Sequence, residues 1–191
     1  MLDEIGFALL LALSGASVAW FFPVRRYMIA LIRDAAVELE EALNPLDATY
    51  TLLGLYVGFK ATYIVEGLRE VRALLTLVPR HALLYLPIVY ARGEHDLLVL
   101  EAEPHGGLLG EECSLVRKPT RPVRRTLKRI GLYGVTCSTA SRRSLVQKLL
   151  EECEACLAAW ASRRGLGIAM RPERGTIAPI ARALVSLAKR M

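Results

Sequence analysis

The chain opens on an apolar run: the twenty residues from Ile5 to Val24 carry no charge, and Arg25 and Arg26 close them. At about 1.5 Å per residue, a helix of that length matches the roughly 30 Å hydrocarbon core of a bilayer. Trp20, Phe21 and Phe22 end the run, where aromatic side chains gather at a membrane boundary. The pattern predicts a membrane span over residues 1–24. A cleaved secretory signal would start with positive charge; this chain starts with Asp3 and Glu4, although Ser17-Val18-Ala19 has the small residues of a cleavage site. Acids before the span and the arginine pair after it predict a single-pass protein of the cell membrane, with everything that follows on the cytoplasmic side.

After Arg26 the apolar positions thin to one side. Met28, Leu31, Ile32, Ala35, Leu39 and Leu43 recur at helical spacing, with Arg33, Asp34, Glu38, Glu40 and Glu41 between them, so residues 25–45 read as an amphipathic juxtamembrane helix. Pro23 marks a kink or a first turn where it meets the span, and Asn44-Pro45 ends it. Its stripe suits packing on the protein's own domain better than a seam between two copies, because fewer than three heptads are present.

From Tyr50 the period falls to two. Phe59, Ala61, Tyr63 and Val65 alternate with Lys60, Thr62, Ile64 and Glu66, and Val71, Ala73, Leu75 and Leu77 alternate with Glu70, Arg72, Leu74 and Thr76, which predicts two strands joined by a turn at Glu66-Gly67. Leu83 to Tyr90 and Asp96 to Ala102, joined by Arg92-Gly93-Glu94-His95, complete an antiparallel meander. A second span over Leu52 to Val65 is disfavoured by Lys60, by Gly54 and Gly58, and by the alternation itself. Further on, Ile130 to Cys137 reads as a strand, Ser141 to Arg163 as a helix closed by Gly165, and Leu166 to Arg171 as a short strand. Thr176 caps a last helix whose Ile177, Ile180, Ala181, Leu184 and Leu187 face inward. Strands early and helices late make an α+β fold: anchor 1–24, amphipathic helix 25–45, and a cytoplasmic α+β domain over 46–191 with its C-terminal helices packed on the meander.

Composition changes this picture in two ways. Asn and Gln occur once each, at Asn44 and Gln147, and Arg outnumbers Lys; depletion of thermolabile amides predicts a thermophilic source, in which four cysteines are as free to pair as to stay reduced. Charge is also divided. Residues 1–116 hold 8 Lys+Arg against 15 Asp+Glu, net −7, and residues 117–191 hold 17 against 4, net +13, which together give the net +6. The densest stretch places Arg117, Lys118, Arg121, Arg124, Arg125, Lys128 and Arg129 together without an acid. Beside a membrane such a run suits anionic lipid headgroups; nucleic acid would use the same charges, but no aromatic residues interleave with them. Pro119 and Pro122 read it as an exposed linker.

Two cysteine patterns bear on chemistry. Cys153 and Cys156 are spaced as a C-x-x-C but fall on the apolar stripe of a helix beside Glu151, Glu152 and Glu154, which raises rather than lowers a thiol pKa; they read as small core residues. Cys113, Cys137, His81, His95 and His105 are scattered without paired spacing, so neither metal nor cofactor is assigned. From Cys137 the chain continues Ser138-Thr139-Ala140-Ser141-Arg142-Arg143-Ser144, a cysteine at a strand end with an arginine six residues later and a helix beyond. This resembles the phosphate loop of cysteine-dependent phosphatases. The resemblance implies Cys137 as nucleophile, with Arg143, Ser138 and Ser141 about the phosphate; the stretch lacks the glycines and the preceding histidine usual there. The sequence is therefore read as a membrane-tethered binding or assembly component contacting lipid and a protein partner, with nucleic-acid binding and phosphatase-like catalysis as alternatives.

Overall fold

One helix, α1, runs unbroken from Leu2 to Leu43, about 63 Å at 1.5 Å per residue. Of the two expectations for Pro23, the first turn of a second helix is not met. Proline removes one backbone donor and crowds the preceding turn, yet the helix carries it as an interior residue, so the two expected helices are one continuous helix. The computed structural model describes residues 2–106, 112–137 and 139–190. By length and composition α1 is long and apolar enough to cross a membrane, and none of its most apolar 18-residue window is buried. Its second half behaves oppositely: Met28, Leu31, Ala35, Leu39 and Leu43 are all buried, as the helical spacing predicts. Asn44 ends the helix in the left-handed region at φ 42°, a backbone conformation that asparagine tolerates.

The chain then turns back along α1 into β1 (Asp47–Gly54), followed by β2 (Gly58–Ile64) and β3 (Glu70–Thr76). A 3-10 turn (Leu83–Tyr85) leads into α2 (Leu86–Ala91), and β4 (Leu97–Glu103) and β5 (Cys113–Val116) come next. The remainder is α3 (Arg121–Arg129), α4 (Ala140–Glu151), β6 (Cys156–Ala161), β7 (Leu166–Met170) and α5 (Ile177–Lys189). The seven strands form one sheet in the order β1-β2-β3-β4-β7-β6-β5, and every neighbouring pair is antiparallel. The fold is α+β, with a meander over the first four strands.

Helices cover the sheet unevenly. On one face α1, α5 and α4 enclose Phe59, Tyr63, Leu75, Leu98, Leu100 and Ile168 in the main core. On the other, α3 lays Val123 and Leu127 over Leu97, Val99, Trp160 and Ala169. Strands β2 and β3 are covered on one side and show alternating burial; β6 and β7 are covered on both and are buried throughout. The core also needs one absent side chain: a Cβ on Gly167 would lie 2.3 Å from the Trp160 indole, so the glycine makes room for the ring. At the far end of α1, Tyr50 donates a hydrogen bond to Glu40 (2.7 Å) and accepts one from Tyr63 (3.0 Å). Burial, reinforced by the Glu40 carboxylate, pushes the Tyr50 hydroxyl up to about 12.

The structure corrects several element assignments. Leu83 to Tyr90 is not a strand; Pro87 lies in the first turn of α2, where its fixed φ favours a helix and its missing N–H costs nothing. Ile130 to Cys137 is a series of turns with positive φ at Gly131 and Gly134. The helix expected over Ser141 to Arg163 stops at Glu151, and Leu157 to Trp160 belong to β6. A strand covered on both faces has no alternation to distinguish it from a helix. Residues 50–66 hold most of β1, a turn and β2 rather than a second span.

Candidate functional site

The basic stretch is a helix for most of its length, not a linker. Pro122 stands in the first turn of α3, the position a proline suits, and Val123 and Leu127 anchor the helix to the sheet. Arg121, Arg124, Arg125, Lys128 and Arg129 are thereby turned to solvent. Arg125 approaches Glu94 at 3.7 Å. Arg117 has a different duty: its guanidinium donates to the carbonyls of Cys153 (2.8 Å), Glu154 (3.2 Å) and Leu150, gathering the turn that leads from the end of α4 to β6. Cation and helix C-terminus also attract. Arg117 is a structural clasp, and Lys118 with the five residues of α3 makes up the exposed basic face.

Cys137 is bonded to Cys113. A thiolate is therefore not available at Cys137 while that bond stands, and the residues before it form turns rather than a strand. Ser138 lies outside the described residues. Ser141 and Arg143 are exposed on the first turn of α4. The disulfide joins cysteines 24 positions apart and staples the intervening loop to β5, where Ser114 donates its amide to the Val135 carbonyl (3.1 Å) and shares its one hydroxyl proton between the carbonyls of Leu132 (3.0 Å) and Val135 (2.9 Å). Cys153 and Cys156, expected inside a helix, instead form a second disulfide across the turn from α4 to β6.

A polar cavity of about 350 Å³ opens between α1, α2 and the ends of β3, β4 and β7, lined by Tyr27, Arg80, Tyr90, Glu94, His95, Asp96, Arg171 and Glu173 among others. Asp96 is buried there, accepting from the Val78 amide (2.8 Å) and pairing with Arg80 (2.7 Å). His95 approaches the Thr120 hydroxyl at 3.2 Å through Nε2, and its Nδ1 is buried without a partner. Burial, and then the charge of Arg171, hold the imidazole below its ordinary pKa, against a smaller opposing pull from Asp96. Opposite charges on this wall suit a polar or zwitterionic group. No serine, threonine or cysteine lines it among the described residues, so it offers no side-chain nucleophile of those kinds. The sequence reading missed this cavity because its charges come from three separate segments, around Arg80, Glu94 to Asp96, and Arg171 to Glu173. The available signal was Arg80, a single charge between two apolar runs.

Among the described residues no three His, Cys, Asp or Glu side chains are grouped to hold a metal ion. No protein-family model matches the chain, and no curated protein matches it.

Proposed function

We propose that the protein is a single-pass membrane-anchored binding or assembly component whose cytoplasmic domain holds the basic face of α3 toward anionic lipid headgroups. The observation that carries this reading is where α3 begins. Thr120, immediately before it, contacts His95, and His95 shares its cavity with Tyr27 of α1. The basic helix thus starts at the end of the sheet from which the exposed apolar part of α1 projects. Each Lys or Arg held near an anionic surface contributes about 1 kcal/mol. Arg25 and Arg26 support the orientation through the bias of basic residues to the cytoplasmic side. Two disulfides in a cytoplasmic domain would require a source such as a hyperthermophile, whose intracellular proteins are disulfide-rich, and the scarcity of Asn and Gln is what such a source leads one to expect.

The test uses the chain lacking residues 1–26, so that the anchor does not mask the surface. It is expected to sediment with anionic vesicles and not with zwitterionic ones, and to be released by salt as screened charge requires. Replacing Arg121, Arg124, Arg125 and Lys128 together with Gln abolishes the sedimentation while circular dichroism is unchanged. Binding to single-stranded or duplex nucleic acid at moderate salt, without vesicle binding, would replace the lipid reading with a nucleic-acid one.

A further inference from the structure

We infer that the tip of the β1–β2 hairpin and the segment from Leu83 to Tyr90 form an apolar half-collar against one flank of α1 that sinks into the hydrocarbon of the leaflet where the span ends. This rests on reading α1 as a span and goes beyond it, because it fixes how deep the domain sits and which way it faces.

The two segments are far apart in sequence and meet α1 at the same height. From the hairpin, Tyr56 packs edge-on against Phe21 (ring centroids 6.3 Å) and lies under the Arg25 guanidinium (5.4 Å). From the second segment, His81 meets both Phe21 (6.0 Å) and Tyr56 (5.2 Å), and Trp20 Nε1 donates to the Arg80 carbonyl at 2.9 Å. These contacts hold both segments against residues 20–25. If Ile5 to Val24 occupy the hydrocarbon, residues 17–24 fill its last roughly 10 Å at 1.5 Å per residue, so whatever packs there is at or below headgroup level.

What the segments present at that height is apolar and uncovered. Leu55 is 73% exposed and Leu84 70%, and Leu52, Val57 and Ile88 are exposed with them. Between α1 and the 3-10 turn lies an open groove of about 580 Å³ whose walls include Val18, Phe21, Phe22, Leu83 and Leu84. A soluble surface rarely gathers large apolar side chains in this way. The groove is continuous with the exposed apolar side of α1 at Val18 and Phe22, so the occupant that fits it is the same one that surrounds the helix, lipid acyl chain. Arg25, stacked over Tyr56, is long enough to lift its charge to the headgroups while its stem stays among apolar groups.

The test is fluorescence of the full chain in vesicles whose lipids carry brominated acyl chains, with the signal of Trp20 and buried Trp160 measured on the native chain in the same vesicles and subtracted. Single reporters are Leu55→Trp and Leu84→Trp on the collar, Phe7→Trp within the span, and Leu46→Trp at the distal end of α1. Both collar reporters are expected to emit to the blue of Leu46→Trp and to lose most of their intensity to bromine, as Phe7→Trp does. Collar reporters that behave like Leu46→Trp, beside a quenched Phe7→Trp, overturn the collar and leave the anchor standing. An unquenched Phe7→Trp overturns the anchor and the collar with it. Blue-shifted but unquenched collar reporters also overturn the proposal, because protein rather than lipid would then cover these residues.

Discussion

The two halves of α1 share one backbone and have opposite surroundings. Before Arg25 apolar side chains occupy every side of the helix, and Phe7, Leu10, Leu11 and Val18 all stand exposed. After Arg26 the buried ones form one stripe, Met28, Leu31, Ala35 and Leu39, while Ile29 and Val37 stay outside it and exposed. The difference lies in spacing as much as in apolar content. An all-round apolar surface cannot be satisfied by a single sheet lying to one side, whereas a stripe of i, i+3, i+4 and i+7 positions can. The domain accordingly covers the half with a stripe and leaves the other half uncovered.

The comparison breaks most visibly when the first half is removed. The intact chain is expected to stay with membranes through alkaline carbonate extraction, and the chain lacking residues 1–26 to be wholly released while keeping its far-ultraviolet dichroism and a cooperative thermal transition. Carbonate extraction of the intact chain would refute the anchor, and loss of the transition would refute the independence of the two halves.

A matched pair of truncations sharpens it. Leu39→Ala removes a side chain with no exposed surface and is expected to cost about 3 kcal/mol in urea unfolding of the detergent-solubilised chain, within the usual range for buried leucine. Leu11→Ala, 59% exposed in α1, is expected to leave that unfolding midpoint where it was. Equal effects at the two positions would mean that the halves belong to one cooperative unit.

The smallest effect arises where the halves meet, at the cavity shared by Tyr27 and His95. His95 is held below its ordinary pKa by burial and Arg171, so the unfolded chain takes up the proton first as pH falls. Stability is therefore full above the unfolded value of about 6.5 and declines as pH drops below it, until the folded state also protonates. In thermal melts from about pH 7 to about pH 5, His95→Gln is expected to flatten part of the decline seen in the native chain. An unchanged slope would show that His95 is not the group responsible.

The same contrast in coverage explains how much of the molecule was legible in its sequence. Strands β2 and β3 were readable because one side of each is exposed, and Lys60, Thr62, Arg72 and Thr76 mark that side. The inward stripe of α5 was readable for the same reason, with Ile177, Ile180, Ala181, Leu184 and Leu187 all buried. Cys156 to Ala161 carries no such marker: helices close both sides of β6, so its apolar run was joined to the helix before it. Leu83 to Tyr90 misled differently, since its exposed leucines and tyrosine imitate a strand with one buried side. For the candidate site, the basic residues were legible as a cluster, but the withdrawal of Arg117 to close α4 was not. That depends on carbonyls at Leu150, Cys153 and Glu154, brought to it by tertiary packing alone. The cavity around Asp96 was hidden for the same reason.

The unbroken course of α1 has a mechanical consequence. A span joined to its domain by a flexible linker can lean without the domain responding. Here the rod that would lie in lipid is the rod that carries Met28, Leu31 and Leu39 into the core. Spans tilt to match the thickness of the bilayer around them, and a stiff helix passes that tilt on at full angle. A thinner membrane would thus turn the sheet as a lever turns its load, with Pro23, the one interior residue of the rod that cannot donate a backbone hydrogen bond, as the place where the lever yields first.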